Sequence, residues 1–236
     1  MLFNSLQFLW FFPSICLIYR FLNSVLPPKY KLTVCNLLLL VGSYYFYMCW
    51  QPKYALLLLL STAVTYLSAR LIENSTSDRN KKIWLTAAIV LNLAILFFYK
   101  YYAFAAETIT ALMSSMGIAI NIPGFDILLP VGISFYIFQA LGYSIDVYRG
   151  NVQAEKNFLT YALFVSFFPQ LVAGPIERST KLLKQFKEEH QFDYDYAMSG
   201  FKLMLWGYFI KLCMADRAAI YVDNVFNNIN SHEGYS

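Results

Sequence analysis

Seven apolar runs dominate the chain, at residues 2–22, 32–50, 54–72, 83–102, 127–148, 158–173 and 197–214. All but 158–173 can cross ~30 Å of hydrocarbon as a helix rising ~1.5 Å per residue. A lone strand would leave its backbone unpaired in lipid, and the alternation of a barrel strand is missing, so helix is the assignment left. Composition agrees: only 14% of the 236 residues are charged and 58% are apolar, against about 25% charged in soluble domains. A single soluble core cannot hide so much apolar surface in so short a chain. The sequence therefore predicts an all-α, polytopic transmembrane protein. Soluble enzyme, disordered tail and nucleic-acid reader are excluded, because the Lys and Arg residues come in ones to fours rather than as a basic patch.

The first positive charge is Arg20, at the C-terminal end of the first apolar run. A secretory leader puts charge before its apolar stretch and a small-residue cleavage site after it. Run 2–22 is therefore read as a retained span. Arg20, Lys29 and Lys31 follow that span; Arg70, Arg79, Lys81 and Lys82 follow the third. Positive loops stay cytoplasmic. The N-terminus is then outside, and residues 103–125 lie on the outer side, partly as an interfacial helix.

The sixth run conflicts with hairpin counting. Run 127–148 returns to the cytoplasm at Arg149 and Lys156, and a further full span would put Arg178, Lys181, Lys184 and Lys187 outside. Residues 158–173 are also short and carry Pro169, which kinks a helix, before Gly174 and Pro175 stop it. Two readings stand: the segment dips in and returns, or it is a tilted span that breaks the charge rule. Irregular backbone at membrane depth survives only where protein buries it or it lines a wet cavity. Residues 167–178 are accordingly the first functional candidate.

Residues 179–189 read as an interfacial helix, with Leu182, Leu183 and Phe186 on one face and Lys181, Lys184 and Lys187 on the other. The whole chain, 1–236, reads as one membrane domain, with 174–196 a cytoplasmic interfacial loop and helix within it.

Polar groups inside spans need a partner or a cavity. Gln139, Tyr143 and Asp146 share one helical face. They either line a substrate path or make an interhelix hydrogen bond plus an Asp146–Arg149 pair. Pro130 suits a first helical turn, and Gly132 and Gly142 suit close helix approach. Glu177 and Arg178 follow the Gly-Pro break and pair with each other or hold the turn. Lys211, Asp216 and Arg217 suggest an ion pair at a span edge. Cys16, Cys35, Cys49 and Cys213 lie in apolar runs without ligand spacing, which predicts small buried hydrophobes and no disulfide or metal site. His190 and His232 stand in polar loops, outside any setting suited to base catalysis.

Several stretches resemble the membrane-bound O-acyltransferase family, in the branch typified by bacterial alginate O-acetylation. They are Leu129-Pro130-Val131-Gly132-Ile133-Ser134-Phe135-Tyr136 with Ile145-Asp146-Val147-Tyr148-Arg149-Gly150, and Phe168-Pro169-Gln170-Leu171-Val172-Ala173-Gly174-Pro175-Ile176-Glu177-Arg178. Gly207-Tyr208-Phe209-Ile210-Lys211 with Ala215-Asp216-Arg217 and Val225-Phe226, Ser43-Tyr44-Tyr45-Phe46-Tyr47, and Phe98-Tyr99-Lys100-Tyr101 agree. The resemblance covers essentially the whole chain. It implies a ring of helices around a tunnel through thinned membrane, lined by broken and re-entrant segments; the polar stripe and the Gly-Pro break make Gln139, Tyr143, Asp146, Pro169, Gly174, Pro175, Glu177 and Arg178 the candidates for that lining.

The resemblance also implies acyl transfer, chiefly acetyl, from a cytoplasmic acetyl-CoA or other thioester donor to a hydroxyl of a cell-surface polysaccharide. D-alanyl transfer to teichoic acid is the alternative within the class. No cofactor is expected to stay bound. The expected partners are membrane lipids, the polysaccharide and a periplasmic acetyltransferase or esterase, and the expected location is the bacterial inner membrane. The family's catalytic His belongs to a Trp-x-x-Trp-His motif downstream of the segment matching Lys211 to Phe226. Neither His190 nor His232 stands in that context, so no catalytic residue is assigned and residues 1–236 alone are expected to be inactive and poorly stable. A non-catalytic pore or export scaffold is the competing class, since transporters also interrupt helices around their sites.

Overall fold

A computed structural model describes residues 3–116, 129–172, 174–175 and 177–227. Every regular element among them is helical. The chain forms two compact units, Met1–Glu189 and His190–Ser236.

The first unit begins with α1 (Leu6–Val25), where the Ser5 hydroxyl accepts the Phe8 N–H at 3.2 Å and satisfies one orphan donor of the first turn. Pro28 starts α2 (Pro28–Met48), where a missing N–H costs nothing. Then come α3 (Lys53–Asn74), α4 (Asp78–Lys100) and α5 (Tyr102–Ser115). Helices α1, α3 and α4, with 20, 22 and 23 residues, are long and apolar enough to cross a membrane. Trp10, Leu17, Phe21, Leu56 and Val90 are exposed on them, as expected of a surface solvated by lipid rather than water. The protein is thus a helical membrane protein, as the apolar runs predict. Helix α5 buries no residue, in keeping with an interfacial position; the rest of the predicted outer segment, 117–125, lies outside the described residues.

Helix α6 (Ile133–Tyr148) is shorter than the apolar run 127–148 suggests. Gly132 holds φ 73° at its N-cap, and Pro130 lies before the helix, its carbonyl accepting the Ile133 N–H at 3.3 Å. Pro130 therefore does not sit in the first turn as expected. With 16 residues, α6 covers only ~24 Å. Gly142, expected to admit a neighbouring helix, has nothing within 4 Å of where a Cβ would stand.

Helix α6 packs on α3 and α4, and α7 (Phe158–Ser166) packs on α2, α3 and α6. Their shared interior holds Tyr136, Ile137, Ala140, Tyr161 and Phe164, all at most 1% exposed. It also holds buried Ser61, Thr62, Thr65, Ser68 and Asn92. These are not orphans. Thr62 and Thr65 donate to the carbonyls four residues back at 2.7 and 2.8 Å, and Ser61 donates to Asn92 Oδ1 across α3 and α4 at 2.5 Å.

After α7 come α8 (Phe168–Leu171) and α9 (Ser179–Gln185). Helix α9 stops short of residue 189. Its expected membrane-facing side is covered by protein instead: Leu182, Leu183 and Phe186 are buried in the main core, while Lys184 and Lys187 form ion pairs with Glu188 and Glu155.

The second unit is α10 (Tyr194–Phe209), a π-helical segment Ile210–Ala215, and α11 (Asp216–Asn227), unbroken. It runs past the predicted end at 214. Lys211 hydrogen-bonds Asp216 across the wide turn, while Arg217 takes no part in that pair. The four cysteines are free, but only Cys35 is buried; Cys16, Cys49 and Cys213 lie on exposed surface, contrary to the expectation of burial.

Candidate functional site: a broken helix held by α6

Helix α7 ends at Ser166, and Phe167 turns the backbone with φ −54° and ψ 111°. In an unbroken helix the Phe168 N–H would bond the Phe164 carbonyl. It instead donates to the Ser43 hydroxyl of α2 at 3.2 Å. The freed Phe164 carbonyl accepts from two side-chain amides, Gln139 Nε2 at 2.7 Å and Gln170 Nε2 at 3.0 Å. Both members of the broken backbone bond are therefore satisfied by buried side chains. A break at membrane depth needs such partners, because an unpaired amide or carbonyl there costs several kcal/mol.

The excursion returns to the face it left. Before α7, the Ala154 N–H donates to Glu73 Oε1 near the end of α3 at 2.9 Å, and Tyr66 donates to the Lys156 carbonyl at 2.6 Å. After α8, Ser179 donates to Asp146 Oδ2 near the end of α6 at 2.8 Å. Asn36, in the third turn of α2, donates to the Phe186 carbonyl at 2.8 Å. Lys187 meets Glu155 at 2.6 Å. Between these points the chain climbs to Ser43 and to the Phe8, Phe11 and Phe46 rings, which pack on Phe168. Ser43 lies ~18 Å up α2 from Lys31. Both ends of the segment therefore contact the same end of the helix bundle.

The polar stripe of α6 grips this excursion at three places. Gln139 holds Phe164; the Tyr143 hydroxyl accepts the Glu155 N–H at 2.7 Å; Asp146 holds Ser179 and, at 3.4 Å, Asn151. Asp146 makes no ion pair with Arg149 among the described residues. Gly132 is required beside the break twice over: its φ is left-handed, and a Cβ would collide with the Leu171 carbonyl. Gly174 is equally tight, since a Cβ there would stand 2.5 Å from Gln170 Cα.

A cavity of about 350 Å³ opens at the break, lined by Phe167, Pro169, Gln170, Pro175, Glu177 and Lys181 among others. Pro169, Pro175, Glu177 and Arg178 are exposed. Glu177 and Arg178 do not pair with each other among the described residues. His190 is exposed, and His232 lies outside the described residues. Among the described residues no group of His, Cys, Asp and Glu suits a metal ion. The sequence gives no partner to Ser43 or Gln170 and no sign of Glu155 as a structural group. The Ser61–Thr65–Ser68 ladder in α3 was not expected either, although it carries a readable signal, small polar residues at four- and three-residue steps inside an apolar run.

The chain is 34% identical over 227 residues to a protein of Azotobacter vinelandii named probable alginate O-acetylase AlgI, covering 96% of this chain and 44% of that one. A protein of the same name from Pseudomonas syringae is 35% identical over 96% of this chain and 42% of its own. A peptidoglycan O-acetyltransferase of Helicobacter pylori is 29% identical over 83% of this chain and 41% of its own. No protein-family model matches the chain, and no solved structure matches it significantly. Over nearly its whole length the chain is thus similar to bacterial proteins named as O-acetylating enzymes. Most of these relatives are named alginate O-acetylases, and the chain spans less than half the length of each.

Proposed function

We propose that this chain is the N-terminal part of a membrane O-acetyltransferase whose acceptor is a hydroxyl of a cell-surface polysaccharide. The observation that carries the reading is the broken excursion 158–178, gripped by α6 and fronting a cavity large enough for part of a small molecule, in a chain whose relatives bear acetyltransferase names. The donor is acetyl-CoA or another acyl thioester, entering from the charged face where Lys31, Glu73, Asp146 and Lys187 gather. By the positive-inside rule that face is cytoplasmic and the N-terminus is outside, in a bacterial inner membrane. In the reaction a hydroxyl oxygen attacks the thioester carbonyl. The C–O ester bond forms, the C–S bond breaks, and the hydroxyl proton passes through a base to the departing thiolate. A periplasmic acetyltransferase or esterase partner would relay or finish the product.

The test uses the complete open reading frame that encodes this chain, expressed in membranes and supplied with isotopically labelled acetyl-CoA and polysaccharide. Alkali-labile label on the polysaccharide is the expected result. Label absent with every acyl donor, while membrane insertion is normal, contradicts the reading and favours a pore or export scaffold. Label from D-alanyl thioester alone moves the acceptor class to teichoic acid.

A further inference from the structure

Glu155 is placed where neither a lipid contact nor a simple loop position needs it. Its side chain is only 7% exposed. Oε1 accepts the N–H groups of Lys156 at 2.9 Å and Asn157 at 3.0 Å, which fixes the turn entering α7. Asn157 then caps that helix by accepting the Leu159 N–H at 3.0 Å. The Glu155 N–H is held by Tyr143 of α6. Oε2 meets Lys187 Nζ at 2.6 Å, just beyond α9. One residue thus touches the start of the excursion, its end, and the helix that grips its middle.

We propose that Glu155 and Lys187 form a clasp, and that both are positioning residues for the cavity at the break. The cavity wall includes Phe167 and Gln170 from before the Gly174–Pro175 stop and Lys181, Leu182 and Gln185 from after it. The two halves of that wall are joined through a stretch containing Gly174, Pro175 and the exposed Glu177 and Arg178. Core packing of Leu182, Leu183 and Phe186 and the Ser179–Asp146 bond hold the second half from inside. The clasp holds it at its C-terminal end. Three other charged groups near this face have partners of their own: Glu73 with Arg70 and Ala154, Lys31 with Glu189, and Lys184 with Glu188. Among the described residues Lys187 is the one cation meeting Glu155, so its loss leaves a nearly buried carboxylate without a counter-charge, an arrangement that drives local opening.

The experiment places Leu182→Cys, buried at 8% exposure, in the complete protein with Cys16, Cys35, Cys49 and Cys213 changed to Ala. The rate of maleimide labelling is then compared with and without Lys187→Met. The clasp predicts that Lys187→Met speeds labelling about tenfold and that Lys187→Arg restores the slow rate. Glu155→Gln keeps an acceptor for the two N–H groups and drops the charge, and is expected to speed labelling as well. Equal rates in all four proteins, or fast labelling already without Lys187→Met, overturn the clasp. The kinetic arm rests on the acyltransferase reading: Lys187→Met raises KM for the thioester donor several-fold with little change in kcat, and Lys187→Arg restores it. If no protein in the series transfers acyl groups, that reading fails while the labelling rates still decide the clasp.

Discussion

The side-chain amide of Gln139 donates to the main-chain carbonyl of Phe164 at 2.7 Å, replacing the helical donor that the turn at Phe167 removes. A helix break and a polar stripe, 25 residues apart in sequence, are therefore each other's explanation. Gln139→Leu leaves Phe164 only Gln170 and is expected to cost about 1–2 kcal/mol. Gln139→Glu is worse, since an ionised carboxylate cannot donate. Thermal melting of the purified protein in detergent checks the order wild type, Leu, Glu.

The glycines of α6 separate close approach from mere composition. Gly132→Ala meets both a left-handed φ and the Leu171 carbonyl, and the conformational part alone is ~1–2 kcal/mol. Gly142→Ala meets nothing within 4 Å and is expected to be neutral or to stabilise by up to ~1 kcal/mol. Melting points that fall equally for the two would refute the distinction.

Much of this was legible from residue order. Helix positions follow from apolar run length, and an interruption near Pro169 from the proline itself, although the turn falls two residues earlier at Phe167. Partners were not legible. Gln139, Tyr143 and Asp146 were visible as a stripe, but which backbone they meet depends on α7 folding back, and that contact joins distant segments. The start of α6 was misplaced because residues 127–132 are apolar enough to read as span, while the conformation of Gly132 ends the helix there. The Leu182–Phe186 face was assigned to lipid because a buried face and a lipid-facing face have the same composition. Glu155 looked like an ordinary loop acid.

Asn92 and Ser61 tie α4 to α3 at 2.5 Å inside the bundle. A double-mutant cycle of Ser61→Ala and Asn92→Ala should give a coupling energy of about 0.6 kcal/mol, the average for hydrogen bonds between membrane helices, and no more than ~1.7 kcal/mol. Strict additivity of the two melting shifts would mean that the bond contributes nothing.

A returning segment requires that residues 158–178 enter the membrane and leave it on the side they came from. In a cysteine-free background, Thr180→Cys in α9 and Ser77→Cys before α4 are exposed positions on what should be one face, while Thr108→Cys in α5 should lie on the other. Membrane-impermeant maleimide applied to oriented vesicles is predicted to label Thr180→Cys and Ser77→Cys from the same side and Thr108→Cys from the opposite side. Labelling of Thr180→Cys and Ser77→Cys from opposite sides would contradict the returning segment and make 158–178 a crossing.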